Sequence, residues 1–284
     1  MTFNGTKLSV RFLGVTLALA TCGLLTGNAQ AQNRLFVSLS DNSIVSYDIS
    51  QSTAAAVEAS VVVFTSSNLS SPRGLAFDSS GNLYAANYSN NISKFDSTGT
   101  FVSTIGSSGN LDFPIGLAFD STGNLYASNF SSSSNTISKF DSSGTFVTSF
   151  GSGNLNNASG IAFDSSGNLY ATNAGADTIS KFDSSGAFVS TIGSGNLSSP
   201  YGLAFDSSGN LFAANRNANT ISKFDSSGSF LFSFNAPSGT SPIYLTIGGS
   251  GGAPPPAVPE PGAVAFGIIA AGSVLGLVAR KRRS

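Results

Sequence analysis

The chain has 284 residues, 10% of them charged, with 32 glycines, no histidine, no tryptophan and a single cysteine, Cys22. That inventory removes imidazole bases, histidine metal ligands and disulfides, and its glycine content favours turns and short strands over helices. The formal charge of −1 conceals a division: residues 32–261 carry twelve Asp and two Glu against four Lys and three Arg, a net of −7 that disfavours nucleic acid as a partner.

The first segment is an export signal. Lys7 and Arg11 precede an apolar run from Phe12 to about Leu25, and Ala29-Gln30-Ala31 supplies the small-x-small pattern of a cleavage site, so residues 1–31 are expected to be removed and Gln32 to begin the mature chain. Leu19-Ala20-Thr21-Cys22 loosely resembles a lipobox, but Thr21 is a poor residue before such a cysteine. Cys22 is therefore read as part of the apolar run.

Residues 33–50 align with the second and third strands of a unit that recurs further on, and Val61 opens a fourth strand; residues 51–60 fit no strand well. The unit itself starts at Gly74, Gly116, Gly160 and Gly202, in steps of 42, 44 and 42 residues. A period of this size is the signature of a propeller or another stacked array. Each copy holds four strand-like segments, "GLAFD", "NLYAAN", "NISKFD" and "FVSTIG" in the first, rich in apolar and β-branched residues and bounded by turn residues.

Phe-Asp-Ser-(Ser/Thr)-Gly occurs eight times, at Phe77, Phe95, Phe119, Phe140, Phe163, Phe182, Phe205 and Phe224, closing the first and third strands of each unit. Asp can accept hydrogen bonds from backbone two residues on, and Gly supplies positive φ, so the pentapeptide is predicted to be turn chemistry. A calcium loop needs oxygen ligands at alternate positions and a closing acid, and Ser occupies the intermediate positions here, so no metal or cofactor is expected.

The N-terminal unit lacks a first strand, whereas Ser241–Gly248, "SPIYLTIG", matches a first strand and then stops. The predicted fold is all-β: a β-propeller of four-stranded blades, five in number, its ring closed by the C-terminal strand completing the N-terminal blade. The propeller spans residues 32–248, and a Gly/Pro linker follows at 249–257.

Beyond the linker, Val258-Pro259-Glu260-Pro261 leads into an uncharged apolar run, Gly262–Ala279, of near membrane-spanning length, then the basic tail Arg280-Lys281-Arg282-Arg283, which should remain cytoplasmic. Residues 258–284 resemble the PEP-CTERM sorting signal of Gram-negative bacteria. The resemblance implies recognition by an exosortase-type membrane protease, transient anchoring through a C-terminal helix, and transfer to the cell surface or extracellular matrix. The repeats resemble NHL repeats, which Ser199–Asn215 follows closely through Pro-x-Gly-Leu-Ala-Phe-Asp, and the other full copies carry the Gly-Asn-Leu-Tyr step. In one respect they depart: Asn87, Asn129, Asn173 and Asn215 stand where that family often has Asp.

The turns scarcely vary between units, but the loops on the opposite face do: "NYSNN", "NFSSSSNT", "NAGADT" and "NRNANT". Binding residues concentrate on loops held by a rigid scaffold, so the candidate surface comprises Arg73, Tyr88, Phe113, Phe130, Tyr201, Arg216 and Asn217. Lys94, Lys139, Lys181 and Lys223 recur once per unit, a sparse ring that would suit acidic polysaccharide or merely solvate a strand. With no histidine base and with Glu58 and Glu260 remote from any loop cluster, the chain is expected not to be an enzyme. The expected function is structural or adhesive, as an exported surface or matrix protein meeting extracellular polysaccharide or a surface protein. The alternatives are an envelope-anchored recognition module for protein or glycan and, more remotely, a lactonase- or lyase-like propeller.

Overall fold

Twenty-two strands and no helix make up the described residues of the computed structural model, which are 16–18, 34–48, 60–131, 133–236, 241–246 and 267–271. Blade 2 is β5 (Pro72–Phe77), β6 (Leu83–Asn87), β7 (Asn91–Phe95) and β8 (Phe101–Ile105), paired antiparallel in that order. Blade 3 repeats it with β9 (Pro114–Phe119), β10 (Leu125–Asn129), β11 (Ile137–Phe140) and β12 (Phe146–Phe150). In blade 4 the strands are β13 (Ala158–Phe163), β14 (Leu169–Asn173), β15 (Thr178–Phe182) and β16 (Phe188–Ile192). Blade 5 holds β17 (Pro200–Phe205), β18 (Leu211–Asn215), β19 (Thr220–Phe224) and β20 (Phe230–Asn235). Blade 1 contains β2 (Arg34–Ser38), β3 (Ile44–Asp48) and β4 (Val62–Thr65), preceded by β1 (Thr16–Ala18). The protein is thus an all-β, five-blade propeller of four-stranded antiparallel blades.

The hydrophobic core lies between blades. Second strands are buried on both faces along their whole length in blades 2, 3 and 4, because each is covered by the blade before and the blade after. The repeated Phe residues belong to this core. Phe95, Phe140, Phe182 and Phe224, which end the third strands, are fully buried. The Phe ending the first strand of blades 3, 4 and 5 meets the preceding blade's tyrosine edge-on, with Tyr84–Phe119, Tyr126–Phe163 and Tyr170–Phe205 ring centroids all 4.9 Å apart, and Phe77 of blade 2 meets Phe36 in the same way at 5.1 Å. Outer strands are exposed and carry apolar residues such as Val102, Val147, Val189 and Phe232.

The Pro-x-Gly step explains how the inner strands come so close. A Cβ on Gly74, Gly116 or Gly160 would lie 2.0–2.2 Å from the carbonyl oxygen of Ile115, Ser159 or Tyr201 in the next blade. Only glycine allows that approach.

Ring closure differs from the sequence expectation. The inner strand of blade 1 is β1, paired with β2 in the register Thr16↔Ser38 to Ala18↔Phe36, and not the C-terminal strand. That strand, β21 (Ser241–Thr246), instead packs beside β17 and β1 and pairs with β22 (Gly267–Ala271) in a separate two-stranded sheet. The physical reason is competition for an open edge: β2 exposes unpaired backbone groups, and β1 and β21 are both apolar enough to compete for them. Gly267–Ala271 lies within the run expected to be a transmembrane helix, and is extended and paired; among the described residues, no helix is long and apolar enough to cross a membrane. The cleavage residues Ala29 and Ala31, the motif Val258–Pro261 and the tail Arg280–Arg283 lie outside the described residues.

Candidate functional site

The eight Asp-Ser-(Ser/Thr)-Gly turns are scaffolding in two chemical versions. At first-to-second strand turns, Asp78 Oδ1 accepts the Ser80 and Asn82 amides at 2.9 Å each, while Oδ2 accepts the Asn82 side-chain amide at 2.8 Å and the Tyr84 hydroxyl at 3.1 Å. Burial and the adjacent Asp78 carboxylate together push the Tyr84 phenol far above its ordinary range. At third-to-fourth strand turns, a hydroxyl replaces the Asn: Thr98 Oγ1 donates to Asp96 Oδ1 at 2.6 Å, and Ser143 Oγ donates to Asp141 Oδ1 at 2.5 Å. These hydroxyl bonds, with the backbone amides behind them, hold the carboxyls of Asp96, Asp141, Asp183 and Asp225 below the usual carboxylate range. Among the described residues, no group of three or more His, Cys, Asp or Glu is arranged to hold a metal ion.

The lysines belong to the same end of the molecule. Lys94, Lys181 and Lys223 lie 3.7–3.9 Å from Asp78, Asp164 and Asp206, and each of the four stands over an aromatic ring of its own blade. They are held against the turn face and do not form a free ring.

At the other end the loops fasten each blade to the next. Phe113, Asn157, Ser199 and Ser71 donate their backbone N–H to Asn90, Asn135, Asp177 and Asn42 of the preceding blade's loop. Each of these four also accepts, at its carbonyl, the amide of the residue that follows its own blade's second strand: Tyr88 to Ser71, Phe130 to Phe113, Ala174 to Asn157, Arg216 to Ser199. The shared bonds define three equivalent positions per blade. They hold Ser71, Arg73 and Tyr88 in blade 2; Phe113, Ile115 and Phe130 in blade 3; Asn157, Ser159 and Ala174 in blade 4; and Ser199, Tyr201 and Arg216 in blade 5.

Six of the seven expected surface residues occupy these positions and form one run of contacts. Arg73 lies over the Tyr88 ring at 5.2 Å, Tyr88 stacks on Phe113 at 4.5 Å, and Phe113 accepts the Phe130 amide. Phe130 and Tyr201 have ring centroids 6.1 Å apart, and Arg216 covers the Tyr201 ring at 5.2 Å while donating to its hydroxyl at 3.2 Å. Asn217 is exposed beside them. Phe113 takes φ +50° immediately before Pro114, a left-handed conformation unfavourable for a bulky residue.

Sequence reasoning missed Ser159. Its side chain is fully buried, and its hydroxyl and the Nε of Arg73 have no hydrogen-bond partner among the described residues. The signal for Ser159 was its place in the repeat, where the other units have Arg, Ile and Tyr.

No family model matches the chain, and no curated protein matches it. Among solved structures it is similar to a streptogramin B lyase at 16% identity and TM-score 0.65, over 86% of this chain and 76% of that one. It is similar to a chain of a nidogen/laminin complex at 18% identity and TM-score 0.67, over 82% and 83%. A third similarity is to virginiamycin B lyase from Staphylococcus aureus, at 14% identity and TM-score 0.62, over 84% and 75%. These likenesses establish the propeller and correct one expectation. Lyases use this fold, so the inference from the missing histidine and glutamate that the chain is not an enzyme does not stand. That inference rested on a residue inventory, which does not determine what a propeller's loop face can host.

Proposed function

We propose that this chain is an exported propeller that acts at the cell surface or in the extracellular matrix and binds its partner through the variable loop face. The observation that carries the reading is the run from Arg73 through Tyr88, Phe113, Phe130 and Tyr201 to Arg216. Rigid aromatic and guanidinium groups gathered on one face are what recognition surfaces use, and here they sit on the end where the blades differ. The opposite end is occupied by eight near-identical turns that hold the scaffold together. Export is supported by the leader-like residues 1–31, whose removal would take β1 from blade 1 and leave that edge to the neighbouring β21, and by the PEP-CTERM resemblance of residues 258–284, which implies an exosortase-type protease as processing partner; the repeats keep their NHL resemblance. The likeness to two lyases favours a second reading, in which the same face transforms what it binds.

The test is the terminal peptides and intact mass of the native protein in membrane and extracellular fractions. A chain from Gln32 to near Pro261, found outside the cell, is the expected result. A chain that retains Arg280–Arg283 and stays in the membrane overturns the sorting reading and leaves the propeller as an anchored periplasmic module.

A further inference from the structure

The outer strand of blade 5 differs from those of blades 2, 3 and 4. In those blades the outer-strand residue opposite the third-strand isoleucine is Ile105, Phe150 or Ile192. Each lies against a turn glycine of the next blade, Gly144, Gly186 or Gly228. Phe234 holds that position in β20, opposite Ile221, and no turn glycine lies against it among the described residues; it is 37% exposed. Opposite the third-strand lysine, β8, β12 and β16 place the polar residues Ser103, Thr148 and Ser190, whereas β20 places Phe232, 51% exposed. Edge strands are usually protected from pairing by a charge or a proline. β20, Phe-Leu-Phe-Ser-Phe-Asn, has neither.

The ladder fixes which backbone groups this edge offers. The Ala236 amide donates to the Asn219 carbonyl, so Phe234 and Phe232 occupy the hydrogen-bonded positions facing β19. The N–H and C=O groups of Ser233 and Asn235 therefore point outward, and no strand pairs with that edge among the described residues. We propose that β20 pairs antiparallel with β20 of a second copy of this chain, about a two-fold axis at Ser233. The two Ser233 residues then exchange both backbone bonds. Phe232 falls opposite Phe234 of the second copy, and Phe234 opposite its Phe232, at the non-hydrogen-bonded positions where facing side chains come closest. Phe232 and Phe234 are already neighbours, with ring centroids 6.3 Å apart, so the pairing gathers the rings of both copies into one cluster.

Symmetry and charge both select a second copy as the occupant. In this register every exposed group of the edge meets its own complement: outward backbone meets outward backbone, and ring meets ring. Antiparallel pairing also sends the Asp225 turns that precede β20 to opposite ends of the joined edge. They are then separated by more than the length of the strand, roughly 20 Å for six residues. That exceeds the Debye length of about 8 Å at physiological salt, so two acidic domains can meet here without facing like charges. Parallel pairing would set the two turns side by side. This edge belongs to neither the loop face nor the turn face, and the inference is independent of the loop-face reading.

The experiment is sedimentation velocity of the native protein over a range of concentrations, where a monomer–dimer equilibrium is expected. Phe232→Lys puts a charge into the ring cluster, and Ser233→Pro removes an amide that blade 5 does not use. Each should weaken the dimer at least tenfold with circular dichroism unchanged. Val147→Lys, at an exposed position on the outer strand of blade 3, should leave the dimer intact. A monomer at every concentration overturns the proposal. A dimer that survives both Phe232→Lys and Ser233→Pro overturns its placement on β20. Loss of the dimer in Val147→Lys to the same degree overturns the register, because pairing would then be a property of any outer edge.

Discussion

Asn129 donates its side-chain amide to the Ser138 hydroxyl at 2.9 Å, and Ser138 has already committed its own proton to the Asn110 carbonyl. Both side chains are buried. The Asn129 carbonyl oxygen meanwhile accepts the Asp112 amide at 3.1 Å, so one side chain staples the lead-in of its blade to two strands. Asn87 with Ser93, Asn173 with Ser180 and Asn215 with Ser222 repeat the arrangement. It needs a group that donates and accepts at once, which explains Asn at a position where Asp is common in NHL repeats.

Asn129→Asp should therefore lower stability at neutral pH by about 1–3 kcal/mol, the cost of leaving buried partners unsatisfied. The new carboxylate would face the oxygens of Ser138 and Thr136, which raises its folded-state pKa above the unfolded value. Its protonated form would be the tolerated one, so the variant should approach the parent at pH 4 and fall away as pH rises through the raised pKa. Urea unfolding at pH 4 and 7.5 measures this; a deficit equal at both values contradicts it.

Gly116→Ala places a methyl 2.2 Å from the Ser159 carbonyl oxygen and 2.9 Å from the Ser128 hydroxyl. Neither blade can give way without opening the inner ring, so a loss of about 1–3 kcal/mol or more is expected. Gly109→Ala has only the Ser107 hydroxyl, 3.9 Å away, and should stay within about 0.5 kcal/mol of the parent. Thermal unfolding of the two variants together distinguishes steric closure from a general effect of losing glycine.

Phe113→Asn separates stability from binding. Removing a bulky residue from φ +50° relieves about 1–2 kcal/mol of backbone strain. Losing the stack on Tyr88 costs about 0.5–1.5 kcal/mol. The two nearly cancel, and the backbone bonds to Asn90 and Phe130 remain. The midpoint of unfolding should hardly move while affinity for the loop-face ligand drops; a large fall in stability would show that Phe113 is there for packing.

The turn aspartates predict the acid limb of stability. Asp96, Asp141, Asp183 and Asp225 have folded-state pKa values lowered first by the hydroxyl two residues on, then by backbone amides. Asp120 is lowered too: burial alone would raise it, but bonds from Asn124 and Thr122 outweigh that. A lowered pKa contributes stability that is complete above the unfolded value of about 3.9, and that is lost as pH falls through the folded value. Melting temperature should thus hold from pH 7 to about 4.5 and then decline. Replacing the four third-to-fourth-strand turn aspartates by Asn should lower the plateau and flatten the decline. An unchanged slope would mean that other groups govern acid unfolding.

Much of the fold was legible in the sequence because each unit repeats the same local rules. Alternating apolar strands, turn aspartates and turn glycines recur at steps of 42 to 44 residues, so period, strand order and turn chemistry could all be read from the letters. The roles of Phe, Asn and the Pro-x-Gly glycine within that pattern needed the neighbouring blade: Phe119 finds Tyr84, Asn129 finds Ser138, and Gly116 faces Ser159 only in three dimensions.

The sequence by itself determined the propeller, its unit length and the face on which the blades differ, because those follow from residue periodicity and turn preference, which act within a few tens of residues. Tertiary structure alone decided the rest. Which strand completes blade 1 depends on competition for one open edge, and β1 took the place expected for β21. The meeting of Phe130 with Tyr201, 71 positions apart, over the small residues of blade 4 depends on curvature of the whole ring, and no local rule of sequence encodes a distance across it.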